Sequence, residues 1–171
     1  MDSFEEVLPR LVKIQLFSDF KIDDENDCRI LKLLYESIKT KEFKKGSVII
    51  KEGTTGDEFF ILYSGSVQVQ RSTPAGDTIA LANLSAEQNI FFGETALISR
   101  DTRSATVKAV TDCKTIVISS KVFHSLCEKE PLFGYRVLMQ LAVRMAKTIR
   151  DTNSDKATLY EALFTEVEGG Y

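Results

Sequence analysis

The apolar positions change period twice along the chain. Ile30, Leu31, Leu33 and Leu34 form a stripe at helical spacing that predicts a helix near Glu25–Ser37, and Asp23, Asp24 and Glu25 suit its positive N-terminal end. Another helix is predicted over residues 3–16, where Ser3 and Glu6 have capping-box spacing and Pro9 is expected to start or kink it. From about residue 38 the period falls to two. Glycines at 46, 53, 56, 65 and 76 punctuate the segments SVIIK, EFFILY, SVQVQ and TIALANL, all rich in β-branched or aromatic residues. Val67 and Val69 alternate with Gln68 and Gln70, so that strand has one buried face, and Pro74, Ala75 and Gly76 mark a hairpin tip. FFGETALIS is short enough for a strand end plus one or two helical turns, after which RSATVKAV and CKTIVIS resume the strands. Short strands at this spacing predict a small β-barrel or roll.

Beyond Ser120 the helical period returns. Residues 120–128 predict a short amphipathic helix, Pro131 opens a second, and neither glycine nor proline interrupts 135–167. In that second helix Leu138, Met145, Thr152 and Leu159 form one heptad row and Ala142, Ile149, Lys156 and Leu163 the other, a two-helix seam with a polar break. The tail 168–171 has nothing to hold it and is expected to fray.

Composition narrows the function classes. A chain of 171 residues buries enough surface for one core without disulfides, and Cys28, Cys113 and Cys127 are odd in number and widely spaced, as reduced thiols are. Its 22 basic and 25 acidic residues give a net charge of −3, which supplies no strong pull toward nucleic acid or an acidic membrane. The longest apolar run, 59–63, is far short of a bilayer span and reads as barrel core, and the start MDSFEEV is not a secretory signal, so the expected location is cytoplasmic. A single histidine, His124, argues against a metal-dependent oxygenase; with Cys127 it offers only half a zinc site, so both read as packing and no metal is expected.

The candidate chemistry lies in FGETALISRDTRSATVKA. Ala105, Val107 and Ala109 share one side by strand parity and Ser104, Thr106 and Lys108 the other, which puts Arg103 on the inward side. A buried guanidinium requires a partner, either protein or ligand. Gly93 opens a short helical turn and lets backbone approach a ligand closely. An arginine fork converging with it makes a site for one phosphate. Glu94 would repel that phosphate, and its useful role is to accept hydrogen bonds from hydroxyls, as acidic residues do for a ribose 2′-OH. Phosphate plus ribose points to a nucleotide.

This segment resembles the phosphate-binding cassette of cyclic nucleotide-binding domains, the family of the bacterial catabolite activators and the regulatory subunits of cyclic AMP-dependent protein kinase. The matching residues are Phe92, Gly93, Glu94, Ala96, Leu97, Arg103, Ser104 and Ala105, and the likeness extends to Gly46, Gly53, Gly56, Asp57 and Gly65. Thr95 stands where a large aliphatic residue is common, and Thr102 where proline often precedes the arginine. The resemblance implies an eight-stranded, jelly-roll-like β-roll over 38–119 with its cassette at 92–105, flanked by N-terminal helices (1–37) and a C-terminal helical hinge and dimer segment (120–171). It implies that Glu94 holds the ribose 2′-OH and Arg103 the cyclic phosphate, with Phe92, Gly93, Thr95, Ala96, Ser104 and Ala105 around them. Thr152 and Asn153 match the polar pair that approaches the base from the two subunits of catabolite activators.

The expected function is a non-enzymatic, stand-alone sensor of cyclic AMP, with cyclic GMP possible, acting as a homodimer on an unidentified protein effector. The alternatives are a truncated catabolite-activator-type regulator of DNA or a ligand-free scaffold roll. Residues 131–171 carry 5 basic against 5 acidic residues and lack the length for a helix-turn-helix domain, so no nucleic acid partner is expected.

Overall fold

A computed structural model describes residues 3–99 and 102–168. The chain runs α1 (Phe4–Leu11), a 3₁₀ turn (Gln15–Phe17), α2 (Glu25–Ser37), then β1 (Lys39–Phe43), β2 (Val48–Ile50), β3 (Glu58–Ser64), β4 (Ser66–Ser72), β5 (Thr78–Ser85) and β6 (Phe91–Phe92). After a second 3₁₀ turn, Glu94–Leu97, come β7 (Thr106–Ala109), β8 (Cys113–Ser119), α3 (Ser120–Lys129) and α4 (Pro131–Glu168). The eight strands form two antiparallel four-stranded sheets, ordered β1-β8-β3-β6 and β2-β7-β4-β5. Facing each other, they make the expected β-roll with flanking helices.

The run 59–62 explains how the layers stack. Alternate side chains of a strand point to opposite faces, and here both faces are dry. Phe59 and Ile61 join Phe91, Ile116, Ile118 and the helices in one core, while Phe60 and Leu62 join Phe92, Val67, Val107 and Val117 in another inside the roll. The sheet containing β3 and β8 is therefore a partition buried on both sides, which is why its strands read as continuous apolar runs. Burial of each such aromatic or aliphatic side chain contributes about 1.5–3 kcal/mol. Thr115, fully buried on β8, donates its hydroxyl to the Lys41 carbonyl.

The single helix expected over 3–16 is instead an eight-residue α1 followed by the separate 3₁₀ turn. The capping box forms as predicted, with Ser3 and Glu6 exchanging hydrogen bonds, but Pro9 sits inside the helix with no N–H to donate to the Glu5 carbonyl, and the helix ends two residues later at Leu11. The turn then delivers Leu16, Phe17 and Phe20 to the core, where Phe17 stacks on Phe133 of α4.

α4 is 38 residues long, about 57 Å at 1.5 Å per residue. Its N-terminal part is tied to α2 by Arg136, which donates to buried Asp27 at 2.7 Å, and just ahead of it Arg29 of α2 forks onto Glu130, the residue that follows α3. Phe133, Val137 and Leu141 are buried, Arg144 is half-buried, and every side chain from 145 to 165 is exposed. Among the described residues no helix is long and apolar enough to cross a membrane. Of the tail expected to fray, residues 169–171 lie outside the described residues.

Candidate functional site

The site is built on a glycine and a buried arginine. Gly93 links β6 to the 3₁₀ turn Glu94–Leu97 with φ +77°, a left-handed conformation that glycine adopts without steric cost. Its carbonyl accepts from Ala96 N–H and from Arg103 Nη1 at 3.2 Å. Arg103 is 7% exposed, in accord with the inward parity of its segment, although β7 begins only at Thr106. Its Nη2 donates to the Glu58 carbonyl at 2.6 Å, and its backbone is pinned to the 53–54 loop by Arg103 N–H to Thr54 O and Gly53 N–H to Arg103 O. Gly56 lies so close that an added Cβ would sit 2.9 Å from Nη2. Burial pushes the Arg103 guanidinium below its ordinary pKa, while the carboxylates of Glu58, Asp57 and Glu94 pull the other way. It stays a cation.

A cleft of about 220 Å³ opens beside this arginine. Ile50, Val69, Leu84, Phe92 and Val107 supply an apolar wall from the roll, and Gly93, Glu94, Thr95, Arg103, Ser104 and Ala105 supply the polar rim. Phe92 is braced by Phe60, with ring centroids 5.5 Å apart. The predicted residues thus converge on one cavity, with three exceptions. Ala96 is buried beneath the turn rather than lining the cleft, and Thr152 and Asn153 lie on the exposed part of α4, also outside the lining.

Several participants carry no motif. The carbonyls of Glu58 and Gly93 hold Arg103, and the 53–56 loop, whose Gly53 and Gly56 belong to the resemblance only as turn residues, also braces it. Arg144 of α4 also lines the cleft: its Nε donates to Glu94 Oε1 at 3.2 Å and its guanidinium lies 4.1 Å from the Phe91 ring centroid. Its spacing from Phe133, Val137 and Leu141 places it on the same helix face, the one signal in the sequence that could have found it. His124 is exposed and Cys127 packs against Gly134. Among the described residues no group of three or more metal-ligating side chains comes together. The cleft offers one guanidinium deep inside, a carboxylate at the rim and an apolar wall, a set that suits an anion attached to a hydroxyl-bearing ring.

Comparison with known proteins agrees. Residues 40–130 match the family model of the cyclic nucleotide-binding domain. The chain is 37% identical over 92 residues to cGMP-dependent protein kinase 2 of Homo sapiens, covering 53% of this chain and 12% of the kinase. It is 32% identical over 95 residues to the cAMP-dependent protein kinase regulatory subunit of Dictyostelium discoideum, covering 55% and 29%. The chain therefore corresponds to a minor part of each of these relatives. In fold it is similar to the catabolite activator protein of Thermus thermophilus, with TM-score 0.72 at 23% identity over 85% of this chain and 62% of that one. Since the family model spans more than half the sequence and takes in the Gly93, Glu94 and Arg103 cleft, the chain belongs to the cyclic nucleotide-binding domain family.

Proposed function

We propose that this chain is a sensor that takes cyclic AMP, with cyclic GMP as the alternative, into the cleft at Arg103 and passes the occupancy to α4. The carrying observation is the convergence of Arg103, Gly93 and Glu94 on one apolar-walled cavity. In this reading Arg103 holds the cyclic phosphate, Glu94 accepts the ribose 2′-OH, and Ser104 and Ala105 lie beside the phosphate. At about 220 Å³ the cleft is smaller than the roughly 300 Å³ at which small-molecule sites begin, so it suits the ribose and phosphate, and the base reaches toward a covering element. A second copy supplies that cover: the exposed rows Leu138, Met145, Leu159 and Ile149, Leu163 of α4 pair in a homodimer and bring the partner's Thr152 and Asn153 toward the base. The two kinase relatives are named for different nucleotides, one for cGMP and one for cAMP, so the base preference is for titration to decide. The output is movement of α4, read by a protein effector, with no chemical step on the ligand.

Isothermal titration of the wild type with cyclic AMP, cyclic GMP and 5′-AMP, run beside solution mass, tests this reading. Saturable binding of a cyclic nucleotide by a two-chain species, with 5′-AMP weak, is expected. Absence of binding by either cyclic nucleotide overturns it.

A further inference from the structure

The far end of α4 carries an apolar block that the roll does not cover. Leu159, Tyr160, Leu163 and Phe164 are 57–66% exposed, and residues 150–158 just ahead of them hold no apolar side chain larger than alanine. The block is therefore set apart from Ile149 by about 15 Å of helix, and Phe164 stands about 30 Å along the axis from Arg144, the last half-buried side chain of α4.

Its width exceeds what one partner helix covers. At about 100° per residue the four side chains span roughly 140° of the helix surface, whereas a two-helix seam is narrower than the roughly 100° of an ordinary core-facing stripe. Leu159 and Leu163 belong to the two heptad rows, and the homodimer of the proposed function takes them. Tyr160 and Phe164, one turn apart on the same side, are left outside that seam.

Charge decides what suits the two rings. Residues 132–150 contain Arg136, Arg144, Lys147 and Arg150 and no acidic residue, whereas residues 151–165 contain Asp151, Asp155 and Glu161 against Lys156 alone. Glu161 is a helix neighbour of Phe164, three residues before it, and Glu168 follows Phe164 by one turn. The surround is anionic. Like charge disfavours an anionic membrane, a nucleic acid or the same stripe of a further copy, and draws a cationic surface instead.

We propose that Tyr160 and Phe164 form the docking face for the effector, and that the effector presents a cationic amphipathic helix. The proposal rests on the sensor reading above, whose homodimer occupies Leu159 and Leu163, and it names the chemistry of the protein that reads α4. Apolar side chains at helical spacing on the effector pack against the two rings, while its lysines or arginines meet the acidic flank. Distance from the roll leaves the face free whether or not the cleft is filled.

The test is fluorescence anisotropy of labelled peptides titrated with the full chain. One peptide of about 18 residues, five turns, places leucine and lysine to form an amphipathic helix. A second has the same composition scrambled so that no face is apolar, and a third has glutamate for lysine. The first is expected to bind the wild type about tenfold or more tighter than either of the others. Tyr160→Gln with Phe164→Gln keeps every charge and a good helix former. This variant is expected to bind the first peptide about tenfold or more weakly, a loss that two buried rings sustain, with helix content by circular dichroism and cyclic nucleotide affinity unchanged. Equal binding of the first two peptides, or no loss in the double variant, overturns the docking face. So does association of the wild type beyond two chains that the double variant abolishes, because the rings then serve further copies. A wild type that binds neither cyclic nucleotide, read in a separate titration, overturns the proposed sensor and with it the effector role.

Discussion

Replacing Gly93 with alanine separates two reasons for a glycine at that position. The backbone there has φ +77°, and an added Cβ would lie 2.9 Å from Arg103 Nη1, 3.0 Å from Ile50 Cδ1 and 3.2 Å from the Glu58 carbonyl oxygen. The left-handed backbone alone costs an L-residue about 1–2 kcal/mol. The Nη1 and Cδ1 neighbours are ends of side chains and can retreat, but the Glu58 oxygen is β3 backbone, so the crowding adds about 1 kcal/mol. Gly76 provides the control, with φ +94° at the β4–β5 tip and open space around its missing Cβ. Urea unfolding should therefore show Gly93→Ala destabilised by about 2–3 kcal/mol and Gly76→Ala by about 1–2 kcal/mol. Displaced Arg103 no longer donates well to Gly93 O, so cyclic nucleotide affinity falls about tenfold in Gly93→Ala, and it is unchanged in Gly76→Ala. Equal losses of stability with no change in affinity for either variant would refute the claim that close approach to Arg103 is what requires glycine at position 93.

Three further outcomes follow from the same contacts. Arg136→Leu leaves the buried Asp27 carboxylate without its cationic partner and destabilises by about 2–3 kcal/mol in urea unfolding, whereas Arg29→Leu, at an exposed pair, leaves the midpoint nearly unchanged. The hydrogen bond from Lys44, aided by Lys45 N–H, holds the Asp112 carboxyl below its usual pKa. Its contribution to stability is therefore complete above the unfolded value of about 3.9 and lost as pH falls through the lower folded value. The urea midpoint of Asp112→Asn accordingly lies below the wild type's at about pH 7 and converges with it in acid below both values. Charging both exposed rows of α4, with Ile149→Glu in one and Leu159→Glu in the other, converts a two-chain species to single chains in sedimentation if those rows are the seam between copies.

What the sequence reveals depends on where each signal is carried. The bounds of α2 and β8 are legible to the residue, because Asp24 caps the one and the β-branched run Thr115, Ile116, Val117 and Ile118 within CKTIVIS marks the other. β1 is not among the strands the pattern picks out: it is an edge strand, KTKEF, in which Lys39, Lys41 and Glu42 are exposed and erase the alternation. The split of the N-terminal helical stretch into α1 and a 3₁₀ turn was foreshadowed by Pro9, but the turn's place depends on Phe17 meeting Phe133, more than a hundred residues away.

The site divides in the same way. Side-chain chemistry at Arg103 and Glu94, and the parity that turns Arg103 inward, are written locally. The carbonyls of Glu58 and Gly93 that anchor the guanidinium have no residue signature, since any residue supplies a carbonyl. Arg144 escapes a heptad reading because it lies off the apolar rows, on the face that packs against the roll. Thr152 and Asn153 match a motif yet stand exposed on α4, outside the lining of the cleft.

The central claim is that Arg103 holds a cyclic phosphate in this cleft, and calorimetric titration of cyclic AMP and cyclic GMP into Arg103→Ala, beside the wild type, tests it most directly. Two charge-assisted hydrogen bonds at about 1.5–3 kcal/mol each imply that the variant binds at least about 100-fold more weakly, with cooperative unfolding retained as evidence of a folded roll. A folded Arg103→Ala that binds the nucleotide as tightly as the wild type would contradict the account.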